Sequence, residues 1–172
     1  KTLREACFAL PNCTPVYEPN IPDGPIVLMG EVLDGVGKIM LDYQENQSFR
    51  ISDEKSVDVI KILKLYKPDI LINYLPVGSQ KATEFYATAC IESDVALLNC
   101  IPVFIASNPE WEQKFVDAKL PIIGDDMKSQ FGASILSQML QELAFDRGIK
   151  VNAHIQQNVG GNTDFLNMTD KN

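Results

Sequence analysis

Apolar positions change their spacing in a regular way between residues 52 and 148. Short apolar runs alternate with longer segments in which apolar residues recur every three or four positions. The runs predict strands, and the longer segments predict amphipathic helices. The predicted strands are Asp69–Asn73, Val95–Leu98 and Pro121–Ile123. One predicted helix begins at Ser52, and three more span Ser79–Ile91, Pro109–Ala118 and Lys128–Arg147.

Short strands separated by helices predict right-handed crossovers and a parallel sheet with helices on both faces, so this region has an α/β pattern. The preceding fifty residues are rich in proline, and only Ile26–Met29 has the pattern of a strand there. Residues 150–159 alternate apolar and polar side chains, which predicts a strand with one buried face. We therefore expect one domain over residues 1–148 and the first strand of a second, α+β domain within residues 149–172.

Composition narrows the range of partners. Acidic residues outnumber basic ones by 23 to 15, for a net charge of -8, and no basic run alternates with aromatic residues, so nucleic acid is not an expected partner. No apolar run is long enough to cross a membrane. The four cysteines form no CxxC pair and His154 is the only histidine, so we expect no metal site and reduced cysteines in the cytoplasm.

The turns that follow the three strands hold the candidate chemistry. They cover residues 74–79, 99–108 and 124–129, and because the strands are parallel, all three turns lie on one edge of the sheet. The third turn carries Asp125, Asp126, Lys128 and Ser129 ahead of a long helix. Such a cluster fits a nucleotide or sugar site, and it also fits an acidic helix cap with a solvated lysine.

Two other features are weaker candidates. The segment from Gly30 to Lys38 contains three glycines without forming GxGxxG, so it is either a loop of the site or a plain surface turn. His154 belongs to the polar row of residues 150–159, and no serine or cysteine nucleophile is visibly paired with it. We therefore expect His154 to be a hydrogen-bonding surface residue rather than a general base.

Four motifs in fixed order carry a resemblance to a known family. They are YLPVGSQKATEFYA from Tyr74, NCIPVFIASNPEW from Asn99, PIIGDDMKSQFGA from Pro121 and NVGGNTDFLNM from Asn158, and LDGVGK from Leu33 extends them. Together they closely resemble the myo-inositol-1-phosphate synthase family, in its actinobacterial and archaeal-like branch. The resemblance implies a Rossmann-like NAD-binding domain followed by a catalytic and oligomerisation domain.

The resemblance also implies an activity. Members of the family are isomerases that use NAD to convert D-glucose 6-phosphate to 1L-myo-inositol 3-phosphate. The conversion runs through oxidation at C5, enolisation, intramolecular aldol closure and reduction. The expected partners are the sugar phosphate and further copies of the chain, in a homotetramer. Two alternatives remain: a non-catalytic relative that binds NAD, and an NAD-dependent oxidoreductase with another substrate.

Site roles follow from the resemblance, position by position. Asp126 corresponds to an acid near the nicotinamide and the reacting carbon, and Lys128 to an assisting cation. The expected cofactor-binding residues are Gly78, Ser79, Tyr86, Asp125, Ser129 and Asp164.

The chain also departs from the family pattern. The family's N-terminal glycine-rich fingerprint and the lysine cluster after the fourth motif have no counterpart, and Thr163 replaces a usual methionine. We therefore expect a fragment of a longer polypeptide that is inactive by itself.

Overall fold

A computed structural model of the protein describes residues 1–9, 20–48 and 50–160. Its helices and strands alternate from α2 onward, as the hydrophobic pattern predicts. The helices are α1 (Leu3–Cys7), α2 (Val59–Tyr66), α3 (Gln80–Glu92), α4 (Pro109–Ala118) and α5 (Ala133–Asp146), with 3-10 turns at Lys38–Asp42 and Glu45–Gln47. The strands are β1 (Ile70–Asn73), β2 (Ala96–Asn99) and β3 (Ile122–Ile123). None of the helices in the described ranges has the length and hydrophobicity of a membrane span.

The strands form a parallel sheet in the order β1-β2-β3, which confirms the predicted α/β class. Because each right-handed crossover advances the sheet in the same direction, α3 and α4 lie on the same face. On that face Leu97 is buried in a core shared with helix residues. The helix residues in this core are Val59 and Leu63 of α2, Ala87, Ala89 and Cys90 of α3, and Phe115 of α4.

The opposite face of the sheet is not covered by the described helices, although we expected helices on both faces. Side chains alternate along a strand, so Ile70 and Ile72 lie on the face away from Leu71. Ile70, Ile72 and Ile123 are at least half exposed. Helix α5, which follows β3, does not cover them, and it has no buried residue of its own. Within the described residues, the helices of the core therefore pack on one face of the sheet.

Two helices begin later than predicted. Ser52 forms only a local bend, in which its hydroxyl accepts a hydrogen bond from the Glu54 N–H. Helix α2 begins after Asp58, whose carboxylate accepts from the Lys61 N–H at 3.0 Å. Helix α5 begins at Ala133 instead of Lys128, because Gly132 is fully extended and ends the turn that precedes the helix. Residues 124–132 are therefore all available to the site as a loop.

Two predicted strands are absent from the described residues. Ile26 makes only an isolated antiparallel bridge with Thr2, and residues 151–159 are exposed and have no strand partner. Alternation indicates which side chains could share a face, but a strand also needs a neighbour for its backbone hydrogen bonds. The proposed start of a second domain therefore stays a prediction.

Candidate functional site

Two asparagines connect the first and second turns of the sheet edge. Asn73 and Asn99 are the last residues of β1 and β2 and lie opposite each other in register. Both are buried, and Asn73 Nδ2 donates to Asn99 Oδ1 at 2.9 Å and to Thr83 Oγ1 at 3.2 Å. Asn73 Oδ1 accepts from the Leu75 N–H at 3.0 Å. The side chain of Asn73 thus holds β2, α3 and the start of the first turn together.

The side chain of Asn99 continues this network to the third turn. Its Nδ2 donates to the Val103 carbonyl at 2.7 Å, to the Ile101 carbonyl at 3.3 Å and to Asp125 Oδ1 at 2.8 Å. Gly124 makes the approach of the third turn feasible, because a Cβ there would lie 2.9 Å from the Asn99 carbonyl oxygen. The structure therefore brings the three turns together, as the parallel sheet predicts.

Asp125 serves as the clamp between the second and third turns. Besides Asn99, its carboxylate accepts from the backbone N–H groups of Ala106 and Ser107, each at 3.0 Å. Burial by itself raises the pKa of Asp125, but these hydrogen bonds outweigh it, so the net pKa lies below the ordinary value of 3.8. Both oxygens bind groups of the protein, so the described contacts of Asp125 are structural, and its predicted cofactor contact stays a prediction.

The other three polar residues of the third turn are exposed. Asp126 has a positive φ of 72°, and its carboxylate accepts from the Met127 N–H at 2.8 Å. Lys128 Nζ donates to Gln138 Oε1 on α5 at 2.9 Å. Ser129 packs near Gly132, just before that helix. Asp126, Lys128 and Ser129 thus share one open turn and can meet a ligand, in contrast to Asp125.

The first turn contributes Gly78 and Ser79. Gly78 has a φ of 96° and open space where a Cβ would stand. Ser79 is buried at the start of α3, its carbonyl accepts from Thr83 Oγ1 at 2.7 Å, and its own side chain makes no capping bond. Instead, Asp34 accepts from the N–H groups of Lys81 at 3.0 Å and Ala82 at 2.8 Å. The helix terminus that we expected beside the dinucleotide is capped by the protein itself.

Sequence reasoning did not assign Asp34 a role. Its two hydrogen bonds join residues 47 and 48 positions apart, and no local pattern reports such a contact. The only signal available was its place in the LDGVGK segment, directly before Gly35.

Tyr86 faces the glycine-rich segment. A Cβ on Gly30 would overlap the Tyr86 hydroxyl oxygen, so the phenol lies directly against the backbone there. Burial raises the pKa of Tyr86 above its ordinary value of 10.0. The described contact of Tyr86 is therefore with the protein, and its predicted cofactor contact stays a prediction. The remaining predicted cofactor residue, Asp164, lies outside the described residues.

His154 has a serine neighbour that the sequence did not reveal. Ser137 Oγ lies 2.8 Å from His154 Nε2, and Gln141 Nε2 contacts the ring nitrogen Nδ1. Both ring nitrogens of His154 thus contact polar side chains of α5. His154 therefore attaches residues 150–155 to α5. Across the described ranges, no cluster of three side chains that could bind a metal occurs.

The chain is similar in sequence to proteins of one known family. The profile of the family described as myo-inositol-1-phosphate synthase matches residues 132–172. The inositol-3-phosphate synthase of Mycobacterium tuberculosis (strain ATCC 25618 / H37Rv) is 47% identical over 169 residues, covering 98% of this chain and 45% of that protein. The protein of the same name from Corynebacterium glutamicum is 46% identical, covering 99% of this chain and 46% of that protein.

A solved structure has the same Rossmann-like fold. The crystal structure of Ari2 matches with a TM-score of 0.66 and 32% identity, covering 92% of this chain and 44% of that chain. The chain thus spans a little under half the length of the relatives it matches. Because the identity of 47% extends over 98% of its residues, the chain belongs to the myo-inositol-1-phosphate synthase family.

Proposed function

We propose that this chain forms the cofactor-facing edge of an inositol-3-phosphate synthase. The whole protein would be an isomerase that converts D-glucose 6-phosphate to 1L-myo-inositol 3-phosphate with NAD. The observation that carries the proposal is the hydrogen-bond network of Asn73, Asn99 and Asp125. It gathers three turns on one edge and leaves Asp126, Lys128 and Ser129 exposed beside it.

The residues of this edge fit the ribose and carboxamide parts of NAD. Hydroxyl and amide groups bind to hydroxyls and backbone groups such as those of Ser129 and the open turn at Gly78. The pyrophosphate fits less well, because Asp34 already accepts from the first N–H groups of α3 and the net charge is -8. When bound, NAD would supply reversible hydride transfer. We therefore assign the ribose and nicotinamide half to this edge.

Within this proposal, two side chains act on the sugar. Asp126 lies in an exposed turn, where its carboxylate can take a proton from a carbon beside a ketone. Lys128 is joined to α5 through Gln138, and its ammonium can stabilise the oxygen anion that this proton loss creates. Ser129 and Gly78 would orient the cofactor. The family likeness further leads us to propose a homotetramer in the cytoplasm.

The test is a paired measurement, made in the whole protein, of NAD affinity and inositol phosphate release from glucose 6-phosphate. Asp126→Asn should lower kcat by roughly a thousandfold, while the Kd for NAD changes less than about twofold. Asp53→Asn is the matched control, since it removes the same charge at an exposed position far from the three turns in sequence. Near-normal turnover of Asp126→Asn would reject its role.

The same assay separates the two alternatives. NAD binding by the unaltered protein without product would identify a non-catalytic relative. Accumulation of NADH with a different substrate would identify an oxidoreductase with net redox chemistry, since the isomerase cycle leaves NAD unchanged.

A further inference from the structure

The segment from Gly30 to Lys38, called here the glycine-rich loop, is anchored along α3. At its start, the Met29 carbonyl accepts from the Val57 N–H at 2.9 Å, and Gly30 packs against the Tyr86 hydroxyl. At its end, it enters a 3-10 turn in which Met40 is buried. Between these points, Asp34 is the contact that joins the loop to the beginning of α3. The loop therefore follows the helix from its second turn back to the edge of the sheet.

The Asp34 contact replaces a cap that the local sequence does not supply. Ser79 occupies the N-cap position, but its side chain makes no capping hydrogen bond. The two oxygens of Asp34 accept separately from Lys81 and Ala82, so the carboxylate is held in one orientation by two donors. A carboxylate at this end of a helix is also favoured by the helix dipole. The loop thus has a defined position at the same terminus that carries Gly78 and Ser79.

We propose that Asp34 is a positioning residue that holds the glycine-rich loop as a fourth wall of the site, beside the turns that follow β1, β2 and β3. This inference rests on the proposed function. Gly35 directly follows Asp34, has a φ of 78°, and has open space where a Cβ would stand. Bare backbone is therefore carried to the edge of the sheet, where it can approach the ribose of bound NAD without a side chain in between. Asp34 itself acts on the loop and touches no reacting atom.

A purely structural cap is the competing explanation, and the two differ in what they predict for NAD. A cap alone would change the protection of the α3 amides and leave cofactor affinity unaltered. A positioning residue would change both, while kcat at saturating NAD and substrate stays near normal because the reacting groups lie on another turn.

The experiment measures hydrogen exchange at the Lys81 and Ala82 amides and NAD affinity by calorimetry in the same preparations. For Asp34→Ala, exchange at both amides should rise roughly tenfold. The Kd for NAD should also rise roughly tenfold, with kcat within about twofold of normal. Asp34→Asn, which keeps one acceptor oxygen, should give intermediate values and guards against a failure of the alanine variant to fold. Asp53→Ala is the control, because it removes the same side chain at an exposed position outside the glycine-rich loop.

The outcomes separate this inference from the proposed function. Unchanged exchange in Asp34→Ala would overturn the docking of the loop. Faster exchange with an unchanged Kd would reduce Asp34 to a helix cap. If the unaltered protein protects both amides but binds no NAD, the proposed function fails and the positioning role fails with it, while the docking of the loop stands.

Discussion

The side chain of Asn73 donates to that of Asn99 at 2.9 Å, and the two residues are direct neighbours in register at the ends of β1 and β2. This hydrogen bond lies at the last pair of the ladder, at the point where both strands leave the sheet. Since Asn99 also donates to Asp125, the position of each turn depends on side-chain amides as well as on the backbone. The edge is consequently a connected unit, and a change at its centre should be felt in every turn.

Asn99→Asp should therefore be among the more damaging substitutions in the chain. It keeps the shape of the side chain but replaces the donating NH₂ with an oxygen, which would face the Val103 carbonyl and the Asp125 carboxylate. We expect the free energy of unfolding to fall by about 3 kcal/mol, since the site is buried and its acceptors lose their donor. Urea unfolding measures this.

Asn158→Asp is the control for that experiment. Asn158 is exposed, and its Oδ1 accepts from Gln156 Nε2, a bond that an aspartate retains. Its free energy of unfolding should stay within about 0.5 kcal/mol of the unaltered protein. Equal losses in the two variants would contradict the central place of Asn99.

Asp125 should make stability depend on acid pH. Its folded-state pKa lies below the ordinary 3.8, so its contribution is complete above pH 3.8 and is lost as the pH falls through the folded value. Asp125→Asn should thus be less stable than the unaltered protein at neutral pH, by about 1 to 2 kcal/mol. The two stabilities should converge as the pH falls below 3.8. Thermal unfolding across this range measures the difference.

Asp126→Asn serves as the comparison, because it removes the same charge from the adjacent position. The Asp126 carboxylate is exposed, and among the described residues it accepts only from the neighbouring Met127 N–H. A pH-independent difference between Asp125→Asn and the unaltered protein would mean that the clamp does not depend on the charge of Asp125.

Local signals predicted the elements that carry the turns. Asn108, Pro109 and Glu110 predicted the start of α4, and in the structure Asn108 caps that helix. The apolar runs predicted all three strands to within a residue or so at either end. These signals lie in residues that are close in sequence, and the parallel arrangement follows from the alternation of strands and helices. The convergence of the three turns could therefore be predicted from the sequence alone.

Contacts between distant residues could not be predicted in this way. Asp34 reaches a helix 47 residues further along the chain, and Asp125 holds a loop 18 residues before it. In the sequence, neither carboxylate can be distinguished from a solvated surface acid. Their structural roles therefore appear only in three dimensions. The alternation of apolar and polar residues at 150–159 predicted a strand that the structure does not contain. Such a pattern describes a single strand and does not show whether a neighbouring strand is present to pair with it.

The contact between Gly30 and Tyr86 provides a double-mutant test of the loop's position. Gly30→Ala should be destabilising by about 1 to 2 kcal/mol, because its Cβ would overlap the Tyr86 hydroxyl oxygen. Tyr86→Phe removes that oxygen and should relieve the overlap. The double variant should recover about 1 kcal/mol relative to the sum of the single changes. Additive effects in urea unfolding would show that the loop does not lie against Tyr86. Gly132→Ala is the control for the single change, because its Cβ would lie 3.3 Å from the side chain of Ser129, which can move. Gly148→Ala is unsuitable as a control, because the φ of 70° at Gly148 strains any side chain.

Lys128 should influence turnover through its charge. Its ammonium lies on the open turn and is held by Gln138 at 2.9 Å. If it stabilises an oxygen anion that forms during the reaction, Lys128→Met should lower kcat by roughly a hundredfold and leave the KM for NAD within about twofold. Lys128→Arg should recover part of the rate, because a cation returns with a different shape. Gln138→Leu removes only the hydrogen bond that holds the ammonium and should lower kcat much less.

Lys150→Met, which removes an exposed charge beyond α5, is the matched control. An equal fall of kcat in Lys128→Met and Lys128→Arg would assign the effect to shape instead of charge, and a normal kcat in both would remove Lys128 from the chemistry.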